Sequence, residues 1–149
     1  MKRTALILLA VLACRTTPAG SGGSNQMTGA ASPRAAVEAF LASVRAEDLQ
    51  AMSVIWGTSR GPARDVLPDR GQLEQRELIM QCYLSHDQFR ILNDTRTDAT
   101  SHTLVVALTK GDLTRQTSFV AVMGPSERWY VERADLDPVK DLCRSPTPA

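Results

Sequence analysis

The sequence carries no catalytic signature. It has no Gly-rich phosphate loop, no His-Glu-x-x-His and no Gly-x-Ser-x-Gly, which removes the usual sequence grounds for a nucleotide, zinc-hydrolase or serine-hydrolase reading. It lacks an excess of either charge, with 17 Lys and Arg against 16 Asp and Glu, so no polycationic face argues for nucleic acid. Its longest apolar run, residues 5–12, falls well short of the roughly 20 residues that a membrane-spanning helix needs. Cysteine is scarce, at three residues, and only two histidines are present. No His or Cys lies at ligand spacing from Cys82 or Cys143, so a metal site is not expected, and nothing in the sequence calls for a cofactor.

What is present begins at the amino terminus. Lys2 and Arg3 precede the apolar run, the small residue Ala13 closes it, and Cys14 follows. A basic start, a short apolar core and a small residue are the parts of an export signal. Val11-Leu12-Ala13-Cys14 resembles the lipobox of bacterial lipoproteins, with Val11 at the aliphatic position, Ala13 at the small one and Cys14 as the modified residue. The resemblance implies diacylglycerol on the Cys14 sulfur, and two or more acyl chains anchor stably because each buried methylene contributes about 0.8 kcal/mol. Arg15 stands where an Asp marks inner-membrane retention in some bacteria, which favours the outer membrane, facing the periplasm. Residues 15–31 are mostly Thr, Pro, Gly, Ser, Asn and Ala, with Met27 as the one large apolar side chain. Such a segment buries too little to offset the entropy of ordering and reads as a flexible tether. The expected organisation is therefore a leader at 1–13, a lipidated tether at 14–31, one domain at 32–144 and a disordered tail at 145–149. Removing Lys2 and Arg3 with the leader leaves a net charge of about −1.

With Cys14 assigned to lipid, Cys82 and Cys143 remain in a compartment that permits disulfides. We expect them to pair, joining the end of a helix to the carboxy-terminal tail; two free buried thiols are the alternative.

Within the domain, Ser32-Pro33 starts a helix, since Ser caps and Pro suits the first helical position. Val37, Phe40, Leu41 and Val44 give it one apolar face. Asp48 caps a second, short helix that buries Leu49, Met52, Ile55 and Trp56 and stops at Gly57. Residues 57–71 are broken by Gly61, Pro62 and Pro68 and carry Arg60, Arg64 and Arg70 against Asp65 and Asp69, an irregular crossing. A third helix is predicted over residues 72–84, with Leu73, Arg76, Ile79, Met80 and Tyr83 on its inner face and Leu78 with Cys82 as a second row. Past Ser85 the period changes to two. Strands are predicted around Phe89 and Ile91, around residues 104–108, around 117–123 and around 129–131, with a long polar turn over 93–101. Helices followed by an antiparallel meander give an α+β fold, with the N-terminal helices packed on one face of a curved sheet of about four strands. The other face carries Val105, Ala107, Val120 and Val122, apolar for a face open to water. Either a second copy, the tail or a partner covers it, or the twist of the domain does so alone.

Residues 32–41, Ala46-Glu47-Asp48-Leu49, residues 104–108 and Arg128-Trp129-Tyr130-Val131 together resemble the nuclear transport factor 2-like superfamily of cystatin-like cone folds, and more narrowly bacterial lipoproteins of unknown function that carry this domain. The resemblance implies a pocket between helices and sheet, and a superfamily that spans isomerases, dehydratases, ligand-binding domains and assembly modules. Phe40, Trp56, Tyr83, His102, Phe119 and Trp129 are the candidate lining of such a pocket, although an aromatic at core spacing is more often packing. By alternation His102 shares a face with Leu104 and Val106 and is the one ionisable group directed at the pocket; His86 and Asp87 lie at the end of the third helix. No residue is assigned a catalytic role. The expected function is a membrane-anchored envelope module that binds a small apolar ligand or an envelope protein. The alternatives are an isomerase- or dehydratase-type enzyme with an unrecognised acid–base site and a purely structural protein. A buried carboxylate facing a cavity would favour the enzyme.

Overall fold

The computed structural model describes residues 27–144. The leader, Cys14, the tether up to residue 26 and the tail 145–149 lie outside the described residues. The first helix, α1 (Pro33–Arg45), starts where the sequence signals it: the Ser32 side chain accepts a hydrogen bond from the Ala35 amide, and Pro33 opens the first turn. Its inner face buries Ala36, Val37, Phe40, Leu41 and Val44. Ser43 shares that burial because its hydroxyl donates to the Phe40 carbonyl at 2.7 Å. Helix α2 (Leu49–Ile55) is capped by Asp48, which accepts from the Ala51 amide, and it buries Met52, Ser53 and Ile55.

The crossing that follows is more ordered than its Gly and Pro content implies. It folds into a minimal hairpin, β1 (Gly57–Thr58) paired with β2 (Gly61–Pro62), and one helical turn, α3 (Ala63–Val66). Helix α4 (Arg70–Tyr83) starts two residues before the predicted position because Asp69 caps it, accepting from the Gln72 amide.

The main sheet is an antiparallel meander in the order β3 (Gln88–Asp98), β4 (Ser101–Lys110), β5 (Leu113–Met123), β6 (Trp129–Ala134). The α+β class and the four strands match the sequence expectation. The long turn predicted over 93–101 does not exist. Strand β3 runs on to Asp98 as an edge strand, and only Ala99 and Thr100 separate it from β4. Its outer half is polar on both faces, which erases the alternation. Pairing is carried instead by the backbone ladder and by cross-strand side chains, with Thr97 and Thr103 hydroxyls 3.1 Å apart. Bulges between Ile91 and Asn93 and between Arg96 and Asp98 bend the strand.

Helix α1 lies across the inner face of the sheet, where Leu104, Val106, Leu108, Phe119, Ala121 and Val131 meet it. Phe40 and Phe119 meet edge to face, with ring centroids 6.3 Å apart. The carboxy-terminal turn, helix α5 (Lys140–Arg144), closes the bottom of the core with Leu142 fully buried. Lys110 donates to the Ser85 hydroxyl and to the Leu142 carbonyl at 2.6 and 2.7 Å, and Arg115 pairs with Asp141. Cys82 and Cys143 are joined, with Cα atoms 4.8 Å apart, which ties the end of α4 to α5.

Residues 28–30, which composition places in the tether, are fixed to the domain. Ala30 and Trp129 exchange backbone hydrogen bonds of 2.8 Å in both directions, and the Gly29 amide donates to the Val54 carbonyl. Arg128 donates to the carbonyls of Thr28 and Gly29, and the Thr28 and Tyr130 hydroxyls lie 2.8 Å apart. Gly29 takes a φ of 68°, and a side chain there would meet the Trp129 carbonyl and the Tyr130 ring at 2.9 Å. Both reasons make the position one for glycine.

Reducing the Cys82–Cys143 bond is expected to lower stability by at most about 4 kcal/mol, the chain-entropy value for a loop of this length, measured as a fall in the urea midpoint of the full chain with and without reductant.

Candidate functional site

Helix α4 keeps part of its predicted inner face, since Leu73, Met80 and Tyr83 turn inward, and departs from it at Arg76 and Ile79. Leu73, Glu77 and Leu84 are its buried row, with Met80 half-buried beside them. Arg76, Leu78 and Ile79 point outward, Leu78 and Ile79 being 47% and 44% exposed. The residue four positions after Leu73 on the inner stripe is a glutamate, so at Arg76 and Ile79 the apolar periodicity led to the neighbouring face. Reading the stripe as i, i+4, i+7, i+11 would have exposed a charge at a core position, the one signal available for Glu77.

Glu77 is 3% exposed, and among the described residues nothing hydrogen-bonds its Oε1 atom. It lines a cleft of about 560 Å3 between α2, α3 and α4. Leu73 and Glu74 continue the α4 wall, and Arg70 stands at its first turn. Gln50 and Ser53 face them from α2, with Ser53 donating to the Gln50 carbonyl at 2.8 Å. Arg64 and Asp65 form the α3 edge and pair with each other at 3.4 Å on the surface. The three-arginine run of the sequence is thus divided: Arg64 and Arg70 border this cleft, while Arg60 borders another beside Thr28 and Tyr130. Burial, reinforced by the nearby charge of Glu74, pushes the Glu77 carboxyl up to about 7. A buried carboxylate without a partner is unfavourable, so the group is poised between its two protonation states near neutrality. The site can offer a proton, accept one, or pair with a cation.

The six predicted pocket residues gather in and around the main core, away from this cleft. Phe40 and Phe119 are fully buried against each other. Trp129 is 8% exposed and carries the His102 ring edge-on at 5.3 Å. His102 does face the inner side of the sheet, and its Nδ1 lies 2.7 Å from an Asp94 carboxylate oxygen, a partner supplied by the part of β3 taken for a turn. Trp56 is half-buried alongside Val131 and donates through Nε1 to the Glu132 carbonyl at 3.4 Å. Tyr83 is half-buried at the end of α4. None of the six borders the α2–α3–α4 cleft.

His86 is buried at the α4–β3 junction. Its Nδ1 hydrogen-bonds the Leu84 carbonyl at 2.8 Å, its ring stands edge-on to Phe89, and its Nε2 is buried without a partner among the described residues. Burial lowers its pKa below the ordinary value, and Arg45 adds to this against the opposing effects of the Leu84 carbonyl and Asp87. No group of three or more His, Cys, Asp or Glu among the described residues is placed to hold a metal ion. On the outer face of the sheet Ala107 and Val122 are each 8% exposed and Val105 and Val120 half-buried. An open groove beside them is lined by Thr103, Ser118, Val120, Arg133 and the Asp135–Asp137 turn.

No family model matches the chain. No curated protein matches it either. A solved structure described as an NTF-2-like protein of unknown function, from Shewanella oneidensis, is similar over 66% of this chain and 90% of that one, at 12% identity and a TM-score of 0.43. At that distance the likeness assigns neither family nor activity.

Glu77 binds a proton more tightly in the folded chain than in the unfolded one. Its contribution to stability is therefore greatest below the unfolded value of about 4.5 and is lost as pH rises through 7. Glu77→Gln is expected to gain on wild type by about 2–3 kcal/mol between pH 5 and pH 8, read as the difference in urea unfolding free energies. His86 acts in the opposite sense below about pH 6.5, where the unfolded chain takes up a proton that the buried ring resists. It is common to both proteins, so the difference isolates Glu77.

Proposed function

We propose that the chain is a bacterial envelope lipoprotein, anchored through lipid on Cys14 and facing the periplasm from the outer membrane, whose nuclear transport factor 2-like domain binds a small ligand in the α2–α3–α4 cleft. The observation that carries the binding reading is Glu77, a nearly fully buried carboxyl group on the wall of a cleft, whose Oε1 has no partner among the described residues. A fold stabilised by burial leaves such a group in place where something else satisfies it. The joined Cys82 and Cys143 accord with an oxidising compartment, and the basic-apolar-Ala13-Cys14 start supports export and anchoring. The apolar aromatic pocket expected between helix and sheet gives way in this reading to a polar site on the helical layer.

A second reading is a proton-transfer enzyme of the isomerase or dehydratase type. It is favoured by the near-neutral Glu77, since a general base works best with a pKa close to the operating pH. In either reading the cleft is the place of action.

Full-length chain isolated non-reduced from the envelope is expected to release a small-molecule mass on denaturation after non-denaturing mass spectrometry. Gln50→Trp, which fills the cleft from its exposed rim, is expected to lose that mass while keeping its far-UV circular dichroism. An adduct that survives in Gln50→Trp would place the ligand elsewhere, and a bare wild-type mass would count against a resident ligand. A released compound that the protein converts when it is added back would decide for the enzyme.

A further inference from the structure

We propose that the cleft takes a zwitterion: a primary ammonium between Glu74 and Glu77, an anionic group at Arg70, and an apolar spacer lying over Leu73. This names the ligand class of the site just described and rests on that reading.

The assignment follows from the order of charges along one helix face. Arg70, Leu73 and Glu77 stand at i, i+3 and i+7 and all line the cleft, so they form a single stripe on α4. At about 1.5 Å of rise per residue the outer two are separated by about 10 Å along the axis. The stripe thus reads cation, apolar, anion, and a ligand of reversed polarity is its complement. Glu74 lies one turn before Glu77, close enough for its charge to oppose ionisation there. An ammonium between the two carboxylates would relieve that repulsion and supply a charge partner to a carboxyl group that has none. The other charged groups at the cleft do not provide it. Arg64 and Asp65 from α3 face each other in a surface pair, α2 contributes only the uncharged Leu49, Gln50 and Ser53, and α1 lines none of it. An organic cation fits better than a metal ion, because no metal-binding group of side chains occurs among the described residues and a primary ammonium needs only two or three acceptors.

The test is titration calorimetry of the full-length, non-reduced chain with 6-aminohexanoate, hexylamine and hexanoate. Saturable binding of 6-aminohexanoate is expected, at least fivefold tighter than hexylamine, with no saturation by hexanoate. Arg70→Ala should reduce 6-aminohexanoate to the level of hexylamine. Glu77→Gln, expected to be the more stable protein at pH 8, should abolish both. Because the ammonium competes with the proton on Glu77, affinity should rise about tenfold from pH 6 to pH 8. Proton release on binding should show as a dependence of the heat on the ionisation enthalpy of the buffer. Hexanoate binding as tightly as 6-aminohexanoate, binding that is indifferent to Glu77→Gln, or no binding of either amine would overturn the proposal. If these probes fail while a Gln50→Trp-sensitive mass is found in the isolated chain, the ligand class alone is wrong; if both fail, so does the cleft as a ligand site.

Discussion

The structure depends on α1 lying in the concave face of the sheet. Phe40, Leu41 and Val37 are fully buried there against Leu104, Val106, Phe119 and Val131. Truncating one such aromatic to alanine typically costs about 3–5 kcal/mol, a large share of what a domain this size possesses. The contact joins the first helix of the domain to β4, β5 and β6 across most of the sequence. The sheet is bent by bulges in β3 and by a register shift between β5 and β6. Everything else attaches at the margins: α2 and α4 beside α1, the α5 turn at the end nearest the disulfide, and residues 28–30 along β6. Between helix and sheet, Phe40 and Phe119 are fully buried against each other.

The helical layer departs from that economy at one position. The inner stripe of α4 would be complete with an aliphatic residue at 77, and such a replacement would remove an unpaired buried carboxylate. Sequences that specify one fold keep local pattern and burial in agreement, and departures from that agreement concentrate at sites with another purpose. His86 is also buried with an unpartnered nitrogen. The difference lies in what surrounds them: His86 is enclosed beside Phe89 with its other nitrogen bonded to a carbonyl, whereas Glu77 borders open space flanked by further charges.

Much of the fold was legible because its signals are local. Ser32-Pro33 and Asp48 act on amides three residues away, and the alternation of β4 and β5 records one buried face. The end of β3 was hidden because an edge strand with both faces in water has no need to alternate, so Asn93 to Asp98 has the composition of a turn. Residues 28–30 were hidden for a related reason. Their attachment is made by backbone groups and by Arg128, a hundred residues away, and composition does not encode that. The cleft escaped because Glu77 interrupts the periodicity used to find the core. Phe40 and Phe119 follow the expectation that an aromatic at core spacing is more often packing, because its large area is what a small core uses first.

The attachment of residues 28–30 has a mechanical consequence. Any pull arriving from the amino-terminal side meets β6 before it meets α1. It is borne by the two backbone bonds between Ala30 and Trp129, by the two Arg128 bonds to Thr28 and Gly29, and by the Gly29 bond to Val54. These links are spread over three successive residues and reach two different elements, β6 and α2. The helix that closes the core lies behind this clasp. A pull at Thr28 is therefore carried first to β6 and, through the Gly29 bond to Val54, to α2, before it reaches the packing of α1.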